Sequence, residues 1–215
     1  LRPVNGPKPG GAARVTAMAT REVHVAAARL EGWLAGFTER HGDGPTVADS
    51  GVVALTGADG ARAWIDVPFP PLTGPLLEHV QRRRRIGVLL VRRSGHAVGV
   101  FDGPDLVASK VDSSYVQGTT KAGGSSQKRY SRRRDNQATS AFAHAADIAA
   151  RILGDERLEA LLAGGDREAV RAVLADRRLA HLEPTGPWLI VKDPKLRVLA
   201  SMPEQFLAVR IVLDP

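Results

Sequence analysis

The segment from Gly118 to Arg134, GTTKAGGSSQKRYSRRR, gathers glycines, hydroxyl residues and one glutamine among cations. Lys121, Lys128, Arg129, Arg132, Arg133 and Arg134 stand there with no carboxylate until Asp135. Such a density suits contact with a polyanion, or a solvated tail. Gly123 and Gly124 leave the backbone free to come close to a ligand. Gln127 is the side chain suited to a reacting centre. Its neutral amide cannot act as a general base, yet it donates and accepts hydrogen bonds at once, so it can orient a water or hold a developing oxyanion. Tyr130 offers a ring for a base to stack on, and with the cations it fits recognition of folded RNA by backbone contacts and exposed nucleotides. The same composition also describes a mobile Gly/Ser linker with an incidental glutamine, and spacing alone leaves both readings open.

Other chemistries fit less well. The phosphate-binding pattern G-x-x-x-x-G-K-[ST] begins at Gly118 and fails at Gly124, which stands where the lysine must be, so nucleotide hydrolysis is not expected. The histidines (His24, His41, His79, His96, His144 and His181) form no H-x-x-x-H pair, and the chain has no cysteine. Structural or surface histidines, with neither metal nor organic cofactor, are therefore expected. No G-x-S-x-G elbow marks a serine nucleophile, and Ser125 and Ser126 read as a turn or a helix cap. The formal net charge of +7 and an isoelectric point near 10.3 point to nucleic acid or an anionic surface. A second basic run, Arg82 to Arg85, reads either as a solvated helix end or as a further RNA contact. No apolar run approaches the roughly 20 residues of a membrane span. A soluble, cytoplasmic protein is the expectation.

The elements that must position this segment follow from periodicity. Residues 1–17 combine proline, glycine and cations with little to bury, and are expected to be a disordered basic extension. From Arg21 to Arg40 the apolar positions Val23, Ala26, Ala27, Leu30, Trp33, Leu34 and Phe37 recur at helical spacing, which predicts one helix stopped by HGDGP, with Trp33 and Phe37 in the core. Val52 to Leu55 and Ala63 to Val67 flank GADGA as a hairpin, and a short helix from about Pro75 is expected to carry Arg82 to Arg85. Ile86 to Val91 and Ala97 to Phe101 read as central strands buried on both faces, with Leu106 to Val111 pairing on. Phe142, Ala145, Ala146, Ala149, Ile152 and Leu153 form a helical stripe, so the basic segment leads into, or forms the first turns of, a long helix. A helix N-terminus disfavours neighbouring cations unless an anion is the partner. Strands are then expected at Leu158 to Ala163, Trp188 to Val191 and Phe206 to Leu213, with a helix from Arg167 to Arg177 capped by Asp166. The alternation predicts one α/β domain over residues 18–215, a mixed sheet flanked by helices.

The segment Lys121-Ala-Gly123-Gly124-Ser-Ser-Gln127 with its arginine-rich exit, between apolar strands and a long alanine-rich helix, resembles the catalytic domain of peptide-chain release factors of the eukaryotic and archaeal type. More closely, it is similar to the Vms-like release factors, specifically their actinobacterial peptidyl-tRNA hydrolase branch. The similarity runs from Arg21 to Asp214 and takes in Trp33, the Asp66 to Pro70 stretch DVPFP and the Gly165-Asp166 turn. The resemblance implies a monomeric, ribosome-associated factor that frees a stalled nascent chain from its tRNA on the large subunit, with ribosomal RNA and peptidyl-tRNA as partners. Gln127 would be the catalytic glutamine, with Gly124 and Gly123 before it. Lys121, Ser125, Lys128, Arg129, Tyr130, Arg132, Arg133 and Arg134 would contact RNA. In the classical factors Gly-Gly directly precedes the glutamine, whereas here Ser125 and Ser126 intervene. Some members of the wider family are thought to cut the tRNA near its 3′ end, and that alternative stays open, as does a non-catalytic RNA-binding module.

Overall fold

The computed structural model describes residues 20–113 and 126–214, with side chains omitted for 126–138. The chain forms two sheets. The first is antiparallel and five-stranded, built from β1 (Arg21–Ala26), β2 (Thr46–Asp49), β3 (Val52–Thr56), β4 (Arg62–Asp66) and β9 (Ala208–Asp214), in the order β1-β9-β4-β3-β2. The second contains β5 (Arg85–Arg92), β6 (Gly95–Asp102), β7 (Asp105–Ser113) and β8 (Ala160–Gly165), in the order β7-β6-β5-β8, with β8 parallel to β5 and the other pairs antiparallel. The expected mixed α/β fold is present, divided over two sheets where the alternation suggested one.

The first sheet buries one face against α1 (Leu30–His41) and α2 (Leu76–Gln81). Leu30 and Phe37 meet Val53, Ile65, Val209 and Ile211 there, and Trp33, half-buried, stacks on Phe37 with ring centroids 5.7 Å apart. Both aromatic rings therefore belong to this core, as expected. The helix over Arg21 to Arg40 is not continuous. Its first part is β1, paired residue for residue with β9 from Arg21↔Leu213 to Ala26↔Ala208. Val23 and Val25 point to the same side while Glu22, His24 and Ala26 are exposed on the other, a period of two that the helical reading overlooked. The helix begins only at Leu30 and stops where expected, at Gly42, whose φ of 73° favours glycine. The hairpin over GADGA forms as β3 and β4, with β2 added outside it.

The second sheet is covered on both faces. Leu89, Val91, Val98 and Val100 face α3 (Ser126–Leu153) and α4 (Arg167–Leu174), whereas Ile86, Val88, Leu90, Ala97 and Phe101 face α5 (Leu196–Ala200) and α6 (Pro203–Phe206). This is the two-sided burial that the unbroken run IGVLLV implies. Asp166 caps α4 by accepting from the Glu168 and Ala169 amides at 3.0 and 3.3 Å. That helix ends at Leu174, short of Arg177, because Asp176 starts a separate 3-10 turn over Arg177–Leu179.

Three further boundaries differ from expectation. β8 starts two residues late, after Glu159. Residues Trp188 to Val191 form no strand: their only ladder contact is a single bridge from Leu189 to Gly164, and the Gln205 amide supplies both hydrogen bonds of the Ile190 backbone at 3.0 Å. The final strand starts at Ala208, because Pro203 at a first helical position turns Pro203–Phe206 into α6.

Candidate functional site

The basic segment is reached through β7 and α3. β7 ends at Ser113 and α3 begins at Ser126, so Gln127 to Arg134 are the opening turns of a 28-residue helix, one of the two placements the sequence allowed. Lys121, Gly123, Gly124 and Ser125 lie outside the described residues. For Gln127, Lys128, Arg129, Tyr130, Arg132, Arg133 and Arg134 the backbone is described and the side chains are not. At 1.5 Å per residue the helix is about 42 Å long. Its buried described residues (Ala145, Ala146, Ile148, Ala149 and Leu153) all lie in the C-terminal third. Gln127 thus stands roughly 27 Å along the axis from Ala145, on a rod whose far end is fixed in the core.

A polar contact ties this rod to the strand that precedes the segment. His144 Nε2 on α3 donates to Asp112 Oδ2 on β7 at 2.9 Å, and Asp112 Oδ1 accepts the Ser113 amide at 2.8 Å. These bonds, the His144 one foremost, hold the Asp112 carboxyl below the usual carboxylate range. Beneath them His96 on β6 is 1% exposed, and its ring meets that of His144 edge-on at 5.7 Å. Among the described residues its Nε2 has no hydrogen-bond partner. Burial, and then the neighbouring His144, push the His96 pKa down, with Asp112 opposing, so the ring is held neutral. The sequence placed these histidines as scattered; only β6–β7 pairing, which sets His96 opposite Asp112, brings them together. Among the described residues no group of His, Cys, Asp or Glu is arranged to hold a metal ion.

Arg82 to Arg85 do not form a solvated helix end. α2 stops at Gln81, and each arginine then takes a separate course. Arg82 pairs with Glu159, Arg83 with Asp102 and Asp105, and Arg85 with Glu156 at 2.9 Å. Arg84 turns inward and is 3% exposed. The reason is tertiary: acidic side chains from β6, β7 and the α3–β8 connection converge on the start of β5, which a reading of the local sequence cannot anticipate.

The mixed α/β fold with its long, core-anchored helix belongs to a chain of the release-factor class. The family model of the Actinobacteria/chloroflexi VLRF1 release factor matches residues 84–212, more than half of the chain, and the protein is a member of that family. Among solved structures, the crystal structure of an archaeal translation termination factor, aRF1, is similar at 12% identity and a TM-score of 0.37, covering 87% of this chain. The chain spans 65% of the length of that factor. A second structure, that of an archaeal protein, is similar at 15% identity and a TM-score of 0.38, covering 90% of this chain and 68% of its own. No curated protein matches the sequence.

Proposed function

We propose that the chain is a ribosome-associated peptidyl-tRNA hydrolase that releases stalled nascent chains on the large subunit, residues 18–215 acting as one catalytic unit behind a basic extension. The observation that carries this reading is the family membership together with Gln127 at the opening of the long helix. Water adds to the carbonyl carbon of the ester joining the nascent chain to the terminal ribose; the bond to the ribose oxygen breaks, that oxygen takes one proton of the water and leaves as the hydroxyl of an intact tRNA, and the other proton goes to solvent as the peptide carboxylate is released. The Gln127 amide accepts from that water and donates toward the developing oxyanion, so it positions without acting as a base. Gly123 and Gly124 let the backbone approach the ester, and Ser125 continues that contact. Lys121, Lys128, Arg129, Arg132, Arg133 and Arg134 hold RNA phosphates, and Tyr130 stacks on an exposed base. The positive pole of the helix adds to this field and favours the same anion. Positioning of this kind needs neither metal nor organic cofactor. The partners are ribosomal RNA and peptidyl-tRNA, the free protein is a monomer, and the cytoplasm is where its substrate lies.

The test is release from stalled large subunits with the products resolved. Gln127→Ala is expected to slow release about 100-fold to 1000-fold, the loss typical of one positioned donor, while co-sedimentation with large subunits persists. Release by the variant at the wild-type rate would reduce Gln127 to linker. An intact tRNA product supports ester hydrolysis; a tRNA shortened at its 3′ end makes the chain a ribonuclease, and an unreacted substrate makes it a binding module.

A further inference from the structure

Between the two sheets lies a cleft of about 760 Å³ with Arg84 in its wall. Arg84 is 3% exposed, and among the described residues no carboxylate comes within ion-pair distance of it. The other arginines of the wall are engaged: Arg82 by Glu159, and Arg210 by Asp66 and Glu22 at 2.7 and 2.8 Å. Nor does the neighbouring histidine serve Arg84. The Thr73 amide donates to His79 Nδ1 at 3.1 Å, so that nitrogen bears no proton. His79 Nε2 lies 2.9 Å from the Pro68 carbonyl, which can only accept, so the proton is on Nε2. Arg84 Nη2, 3.1 Å from the same Nε2, therefore faces another donor. The one remaining bond runs from Nη1 to the Arg82 carbonyl at 3.2 Å. Among the described residues this buried guanidinium thus keeps one hydrogen-bond acceptor and the Phe69 ring but no carboxylate, an arrangement that burial alone opposes.

The wall beside Arg84 is apolar. The Phe69 ring lies under the Arg84 guanidinium, 5.1 Å from centroid to Cζ, and Pro68, Pro70 and Pro187 extend this surface. Phe69 is the one non-glycine among the described residues with a positive φ, 54°. A bulky side chain is strained there, and such strain gathers where a ligand is held. Its position is fixed by the His79 bond to the preceding carbonyl.

We propose that this cleft binds a single unstacked nucleotide, its phosphodiester on Arg84 and its base against Phe69 and the prolines. The inference rests on the reading of the chain as a factor that works on RNA. A phosphodiester brings one negative charge, which balances Arg84, whereas a dianionic phosphate would leave a second charge unmatched near Asp66, which shares the single Arg210 guanidinium with Glu22. The planar fork of arginine suits phosphate oxygens, and aromatic and proline faces suit any base, so sequence preference is weak. The described residues that line the cleft come from outside the Gly118 to Arg134 segment, and Arg84 gives the protein a second hold on RNA beside the basic run.

The test measures binding of the dinucleoside monophosphate UpU and of a labelled uridine hexanucleotide to the full chain at low salt. Both are expected to bind wild type, with UpU shifting the NMR signals of Phe69 and Thr73. Arg84→Met is expected to weaken UpU at least tenfold and, lacking an unbalanced buried charge, to melt no lower than wild type. Arg83→Met, which removes a surface charge already paired, is expected to bind UpU as wild type does. Binding of the hexanucleotide but not UpU would place its contacts elsewhere and overturn the inference. So would equal UpU affinity in Arg84→Met, a melting temperature lowered by that change, or acetate competing as well as UpU, which would mark a carboxylate site. Wild-type peptide release without UpU binding defeats this inference alone, and UpU binding without release defeats only the hydrolase reading.

Discussion

His96→Leu removes a ring nitrogen that is buried without a partner among the described residues, on the strand beside β7, and its effect on stability can be bounded beforehand. An unsatisfied buried polar group costs about 1–3 kcal/mol, and replacing it by an apolar side chain of similar size opens no cavity but brings a shape cost of up to about 1.5 kcal/mol. At pH 7.5 the variant is therefore expected to lie between about 0.5 kcal/mol less stable and about 3 kcal/mol more stable. The pH dependence is sharper. The folded pKa of His96 is lowered, by burial first and by His144 second, with Asp112 on β7 acting the other way. In the unfolded chain the ring titrates near 6.5. Above that pH it is neutral in both states and contributes nothing further. Below it the unfolded chain takes up a proton that the folded protein refuses, so stability is lost as pH falls toward the folded pKa. One proton steepens this loss by at most about 1.4 kcal/mol per pH unit, equivalent to roughly 3–5 °C in melting temperature for a chain of this size. Thermal melts of wild type and His96→Leu at pH 7.5 and 5.5 isolate the effect, because the other five histidines are common to both proteins. Wild type is expected to lose several degrees more than the variant. Equal losses, or a variant more than about 2 kcal/mol less stable at pH 7.5, would show that His96 has a partner after all.

Three further outcomes are expected. Replacing Arg132, Arg133 and Arg134 with alanine should weaken binding to large subunits and flatten the slope of log affinity against log salt by roughly 2 units, at about 0.7 per phosphate contact; an unchanged slope makes the run a solvated face. Gly124→Val should impair peptide release without lowering the melting temperature, whereas a matching loss of stability would make the glycine structural. Asp166→Ala should cost about 0.5–2 kcal/mol in urea denaturation through loss of the α4 cap, and a smaller change would mean that packing of Val170 and Val173 alone holds that helix.

Much of the second sheet was legible because its information is local. The run Ile86 to Val91 is apolar on both faces, Asp166 announces a cap, and the alanine stripe of α3 has a clear period. The first sheet was harder. Val23, Ala26, Ala27 and Leu30 fit a helix as well as Val23 and Val25 fit a strand, and the choice is made by β9, far along the chain. Residues Trp188 to Val191 have strand composition but lack a neighbouring strand, and a glutamine side chain takes the neighbour's part. For the site, the basic run could be read as charge density because all its members are adjacent. The cleft could not, since Phe69, His79 and Arg84 acquire meaning only when Arg84 is seen to be the member of its run that no acidic residue meets. His96 and Asp112 are likewise opposed only through strand register.

The position of β9 has a consequence for how the chain is made. β9 lies between β1 and β4 and is bonded to both, so the middle of the first sheet is its last strand to be synthesised. Until residues 208–214 leave the ribosome, β1 has no partner and β4 shows a bare edge, while every strand of the second sheet has already emerged. The second sheet can therefore fold during translation and the first must wait, exposing two sticky edges for the interval. Chains cut short before β9 should keep the β5–β8 ladder and aggregate through their N-terminal strands.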